Sequence, residues 1–194
     1  MPFECEAPES MEGQSNFLKH PGNCHLVIDE IEEDPKGAPG GIKLHCICLA
    51  HDVKSEATKT VGVLLGPPKQ THKDKGEFAR RVICRALVAM GHYRPRDIQP
   101  GMRIVIESFK PYVGAQLFAT LKDTDDHKFI NLDGDRIFHV DDPAAAKFPR
   151  DEAALKLLPE SARRRPEEFS NGKATDQSAS SESTGQTPLN VDEL

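Results

Sequence analysis

The chain contains no Trp, two Tyr and nine Phe, so aromatics are only 6% of its 194 residues. With 37% apolar and 29% charged residues, this excludes a chain packed throughout and leaves material for a modest core. No apolar run approaches the roughly 20 residues that cross a bilayer, which excludes a transmembrane helix. The opening Met-Pro-Phe-Glu-Cys-Glu has neither a basic start nor an apolar stretch, so no secretory signal is expected. The five cysteines are an odd count, which argues for reduced thiols in a cytoplasm rather than a disulfide framework. Also missing are a Walker loop, a Gly-x-Ser-x-Gly and a paired-carboxylate motif, so nothing supports catalysis and the expectation is a non-enzyme.

What is there begins with charge. The net −6 conceals an asymmetry. Residues 1–15 hold four acids and no Lys or Arg, and residues 166–194 hold six acids against Lys173 alone. The body, 16–165, therefore carries 24 basic and 21 acidic residues, and the stretch 54–110 alone carries twelve against five. A mildly basic body between acidic ends suggests a polyanion-binding surface. Ordinary surface charge with solubilising tails is the bland alternative.

The pattern divides the chain into an acidic N-terminus (1–15), a β-rich body (16–140), a short helical extension (141–169) and a tail (170–194). The tail is Ser/Thr/Gln-rich, and its composition predicts disorder. Its tip, Pro188 to Leu194, mixes Leu189, Val191 and Leu194 with Asp192 and Glu193, as a peptide ligand for another protein would, or as a frayed end would.

In the body, Asn23–Ile31, Ile42–His51 and Thr58–Leu65 read as strands, with breakers Pro35 to Gly41 between the first two. Asp74 and Glu77 make a capping-box start for a helix. Phe78, Val82, Ile83, Ala86, Leu87 and Met90 then share one helix face, and Gly91 terminates it. Met102–Phe109 and Tyr112–Leu121 predict a hairpin through Lys110-Pro111. Phe129–Leu132 and Arg136–Val140 predict a smaller one turning at Asp133-Gly134-Asp135. Asp142-Pro143 opens a short helix, and Asp151–Leu158 is another, stopped by Pro159. The predicted class is mainly β with one central helix, in the order β-β-β-α-β-β. That is the order of the five-stranded OB-fold Greek-key barrel, here with short C-terminal helices.

Three stretches carry a resemblance: GNCHLVIDEIEEDPKGAPGGIKLHCICLAHD, the basic helix GEFARRVICRALVAMG, and MRIVIESFKPYVGAQLFATL. From about Gly22 to Asp142 the chain resembles the OB-fold single-strand DNA-binding proteins of phages and bacteria. The resemblance implies a non-catalytic role in DNA replication or recombination. It also implies a tail that recruits replication or repair proteins, although this tail ends in Leu-Asn-Val-Asp-Glu-Leu rather than an acidic run closed by Phe.

Single-strand binding needs cations to track phosphates and rings to stack bases. Strand alternation places Val113, Ala115, Leu117 and Ala119 on one face, and Tyr112, Gln116 and Phe118 on the other. Arg103 and Phe109 join that second face from the neighbouring strand. Lys43 and His45 share a face of the second strand, and Lys59 lies in the third. Lys43, His45, Lys59, Arg103, Phe109, Tyr112, Gln116 and Phe118 are therefore the candidate contacts. The alternative for Phe109 and Phe118 is packing beneath the helices of 142–165. Arg80, Arg81 and Arg85 read as a solvated helix face.

Cys24, His25, Cys48 and His51 come near one another if the first hairpin turns near Gly37. Their spacing is not a repeated Cys-x₂-Cys, and Cys46 and Cys48 read as buried apolar residues, so no metal or other cofactor is assigned. The expected partner is single-stranded DNA, with a second copy of the chain as a further candidate. The competing reading is a protein-interaction or structural barrel with no nucleic-acid role.

Overall fold

The computed structural model of the chain describes residues 16–36, 40–67, 76–124 and 130–169. The strands are β1 (Gly22–Glu33), β2 (Ile42–His51), β3 (Thr60–Leu65), β4 (Gln116–Asp123) and β5 (Ile130–His139). Helix α1 (Glu77–Ala89) stands between β3 and β4, and the short helix α2 (Glu152–Lys156) follows β5. Every strand pair is antiparallel, and the sheet order is β3-β2-β1-β4-β5. The sheet curls into a half-barrel whose edge strands, β3 and β5, approach one another. Helix α1 lies chiefly against β5 and also touches β3 and β4. The expected mainly-β class and the helix after the third strand are present, but the last two strands are not the expected pair. β4 falls in the expected fifth strand, and β5 is built from the residues of the expected small hairpin, of which Phe129 lies outside the described residues.

Alternation explains the inner face. In β2, Leu44, Cys46 and Cys48 are buried, while Lys43, His45 and Ile47 point outward. In β3, Val61, Val63 and Leu65 are buried. Leu26 and Ile28 of β1 join them before a bulge at Asp29 resets the register. Burial of each such aliphatic side chain stabilises the fold by roughly 1.5–3 kcal/mol. Helix α1 closes this core with Val82, Ala86 and Leu87. It ends in a Schellman arrangement: Gly91 N–H donates to the Val88 carbonyl and His92 N–H to the Leu87 carbonyl. Gly91 sits at φ +80, the left-handed conformation that this terminator requires. The start of α1 is an N-cap at Gly76 without a side-chain cap, and Asp74 lies outside the described residues.

Two further sequence expectations do not hold. Residues 102–109 form no strand, because β4 already has β1 on one side and β5 on the other, leaving no free edge for a hairpin. β4 itself begins at Gln116 rather than Tyr112. Lys110–Tyr112 is a 3-10 turn around Pro111, and Gly114 at φ +87 breaks extended backbone before the strand starts. The second correction concerns Asp133-Gly134-Asp135. No chain reversal occurs there and β5 continues through it, but its pairing with β4 is interrupted: Ala119 stands opposite Ile137 and Leu121 opposite Leu132, so residues 133–136 are skipped in the ladder. Gly134 is buried: a Cβ there would overlap Val82 Cγ2 and lie 3.0 Å from Phe78 Cζ. The glycine serves close helix–sheet approach, not chain reversal.

The C-terminal extension covers the other face of the sheet. Phe118, Val140, Ala145, Phe148 and Leu155 form a second core, with Phe138 and Leu158 packed against it. Asp142 caps the turn Pro143–Ala145 through the Ala144 N–H, and Asp151 caps α2 through the Ala153 and Ala154 N–H groups. Among the described residues, no helix is long and apolar enough to cross a membrane. The expected tails, 1–15 and 170–194, lie outside the described residues.

Candidate nucleic-acid interface

The outward side chains of β2 and β3 border a groove of about 920 Å³. Lys43, His45 and Ile47 come from β2, Thr60 and Gly62 from β3, and Asp29 and Glu30 from the β1 bulge. The segment Phe17–Lys19 and the cross-strand pair Asp123 and Ile130 complete the wall.

Local chemistry fixes each part. Phe17 makes a parallel bridge to Thr60, and Leu18 N–H donates to the Thr60 carbonyl at 2.9 Å. That pairing lays residues 16–18 along β3, burying Leu18 and leaving Phe17 65% exposed. Gly62 leaves room for the Lys43 stem: a Cβ there would stand 3.1 Å from Lys43 Cε. His45 Nε2 lies 3.6 Å from Glu32 Oε2.

Beside the groove, Glu56 is fully buried. Its Oε1 accepts from Lys59 Nζ at 2.8 Å and stands 2.7 Å from His20 Nδ1, and its Oε2 accepts the Lys19 N–H at 2.7 Å. Burial pushes the Glu56 carboxyl up, but Lys59, the Lys19 N–H and His20 outweigh it and hold the group at about 2. This carboxylate ties residues 19 and 20 to the turn Lys54–Glu56 and engages the charge of Lys59.

Only two of the eight sequence candidates, Lys43 and His45, meet in the groove. Lys59 is paired with Glu56. Arg103 is exposed on the irregular segment. Phe109 is in the main core, its N–H held by Glu33 Oε1 at 2.6 Å. Tyr112 is half-buried, its ring edge-on to His92 at 5.4 Å and its hydroxyl bonded to His92 Nδ1. Gln116 donates from Nε2 to the Ala154 carbonyl, under the extension. Phe118 is fully buried between the His25 ring at 4.8 Å and Phe148 at 5.9 Å, with the Arg150 guanidinium over its face. Where they stand, Phe109 and Phe118 cannot stack bases, because packing against the helical extension and the inner core takes both rings. Sequence reading missed Phe17, Lys19, Thr60 and Gly62. The Phe-Leu-Lys run before β1 was the available signal, but the bridge that places it is non-local.

Several arginines outside the groove are engaged within the chain. Arg85 bonds Asp135 and the Gly134 carbonyl, Arg163 pairs with Asp141, and Arg94 with Glu168. Arg164 donates to the Gly91 carbonyl at 2.8 Å. The Arg94–Glu168 and Arg164–Gly91 contacts fasten the extension to the end of α1. The groove itself is mixed: Lys19, Lys43 and His45 face Asp29, Glu30 and Asp123.

The hairpin does set Cys24 opposite His51, as the sequence suggested. Cys24 and Cys48 nevertheless face the inner core, while His25 packs on the outer face against Phe118. Among the described residues, no three His, Cys, Asp or Glu side chains converge as a metal site. Burial pushes the Cys46 and Cys48 thiols up to about 12, which makes them poor ligands and poor nucleophiles. Comparison with protein families and with characterised proteins finds no match for this chain.

Proposed function

We propose that the protein is a non-catalytic, single-stranded nucleic-acid-binding module built on an OB-type barrel. The sheet order β3-β2-β1-β4-β5, with the helix between β3 and β4 and the edges β3 and β5 near one another, supports this reading. In such barrels oligonucleotides lie across the face of the second and third strands. The observation that carries the reading is the groove on that face, lined by Lys43, His45 and the exposed Phe17. Lys19 and Lys43 neutralise phosphates, the Phe17 ring offers a stacking face, and Gly62 keeps room for the Lys43 stem in the groove. The setting we infer is replication or recombination of DNA in a phage or bacterium, with single-stranded DNA as the ligand. Two lysines at about −0.7 each give the groove a log–log salt slope of roughly −1.4.

The mixed charge of the groove favours a second reading, a protein-interaction barrel that takes a peptide bearing both signs. Fluorescence anisotropy separates the two. Labelled oligo-dT of about thirty nucleotides is titrated at two salt concentrations, with duplex of equal length as control. Salt-sensitive binding to the single strand alone is expected. Absence of binding at low salt overturns the nucleic-acid reading and leaves the interaction module.

A further inference from the structure

Residues Arg103 to Ser108 make no backbone hydrogen bond to any described residue. Both ends of this stretch are held. Met102 N–H donates to the Gln99 carbonyl at 3.0 Å, and at the other end Glu33 Oε1 accepts from Phe109 N–H and Ser108 Oγ. Between these anchors exposure alternates with period two. Arg103, Val105 and Glu107 are exposed, with Val105 at 63%, and Ile104 and Ile106 are half-buried against the main core. Ile104, Val105 and Ile106 are strong strand formers. A strand-like run with open N–H and C=O groups is a template for another strand.

We propose that this segment pairs antiparallel with the same segment of a second copy of the chain. The order Arg-Ile-Val-Ile-Glu is self-complementary about Val105. A two-fold axis there sets Val105 against Val105, Ile104 against Ile106, and Arg103 against Glu107 twice. Arg103 and Glu107 form no ion pair with a described residue of their own chain, so both charges are free to cross the seam. A parallel pairing would set Arg103 against Arg103 and Glu107 against Glu107 and is disfavoured by repulsion. The isologous geometry closes at two copies and does not propagate.

The test is sedimentation equilibrium of the full chain in reductant over a wide concentration range. The wild type is expected to show a concentration-dependent monomer–dimer equilibrium. Arg103→Glu sets acid against acid twice, and Glu107→Arg sets arginine against arginine twice, so each is expected to weaken dimerisation by about tenfold or more. Mixed together, these two variants are expected to form a heterodimer, since each mismatch corrects the other. The double variant R103E/E107R is expected to regain the homodimer, and this covers the case in which one single variant fails to fold. A wild type that stays monomeric throughout overturns the proposal. So does a dimer that ignores both charge reversals, or a mixture that remains monomeric while the double variant also fails to pair.

Discussion

His25 Nδ1 accepts the backbone N–H of Asp151 at 3.2 Å, which ties the outer face of β1 to the N-cap of α2. An accepting Nδ1 requires the ring proton on Nε2. That nitrogen stands beside Gln116 without reaching full hydrogen-bond geometry. The ring is fully buried and lies 4.8 Å from Phe118.

Acid should therefore loosen the protein in two successive windows. Burial lowers the His25 pKa from 6.5 to about 4, so the unfolded chain takes up its proton first. Stability falls as pH drops through 6.5 and levels off near 4, a loss of roughly 3 kcal/mol. Burial lowers His139 as well, with the same sign. Glu56, held at about 2, has the opposite chemistry and the same direction. Its stabilisation is full above the ordinary carboxylate range and is lost as pH falls from about 4.5 towards 2. Urea midpoints at pH 7.5, 6, 5 and 4 should decline, and H25Q should flatten the upper window. A midpoint independent of pH from 7.5 to 4 would contradict the buried neutral ring.

Phe118→Ala should act on stability and not on ligand contact. Emptying a ring site sealed by His25, Phe148 and Arg150 is expected to cost about 3–5 kcal/mol. Thermal denaturation reads the loss. Oligonucleotide affinity per folded molecule should stay within a factor of two or so of wild type. A stable F118A protein that no longer binds would place the ring in the site after all.

Gly134→Ala should drive a methyl into Val82 and lower stability by about 1–3 kcal/mol. Val82→Ala removes the colliding Cγ2. The double variant G134A/V82A should then lose less than the two single losses added together. Strict additivity would show that α1 does not press on β5 at this point.

Lys43→Gln should reduce single-strand affinity and make the salt slope shallower by about 0.7. Lys59→Gln should instead lower stability, since it strips the buried Glu56 of one of its donors. Equal salt-slope changes for the two variants would argue that both face the ligand.

Local rules made much of the fold legible. The alternation in IKLHCICLAH gave β2 at its observed ends, and Asp142-Pro143 gave a cap that Ala144 uses. Helix α1 ends where Gly91 says it should. The misses share one cause, competition for partners. Arg103–Phe109 has the composition of a strand, but pairing is decided by which edges are free, and β4 had none. Gly134 has the look of a turn residue, but its role is set by Val82, 52 positions earlier in the chain. Phe118 sits on the correct face of its strand. What covers that face, Phe148, is fixed by the path of the extension rather than by alternation.

Cys24, Cys46 and Cys48 are 0–2% exposed on the inner face of the sheet, whereas Cys84 on α1 is half-buried. The Cys24 Sγ–H donates to the Ala119 carbonyl and the Cys48 Sγ–H to the Ala50 carbonyl, so both thiols are locked to backbone as well as covered. The three form a clock. An alkylating reagent reaches them only when β1 and β2 part from their neighbours, and Cys84 marks time in the closed molecule. The interval between the two labelling phases measures how often the half-barrel opens under conditions where nearly every molecule is folded.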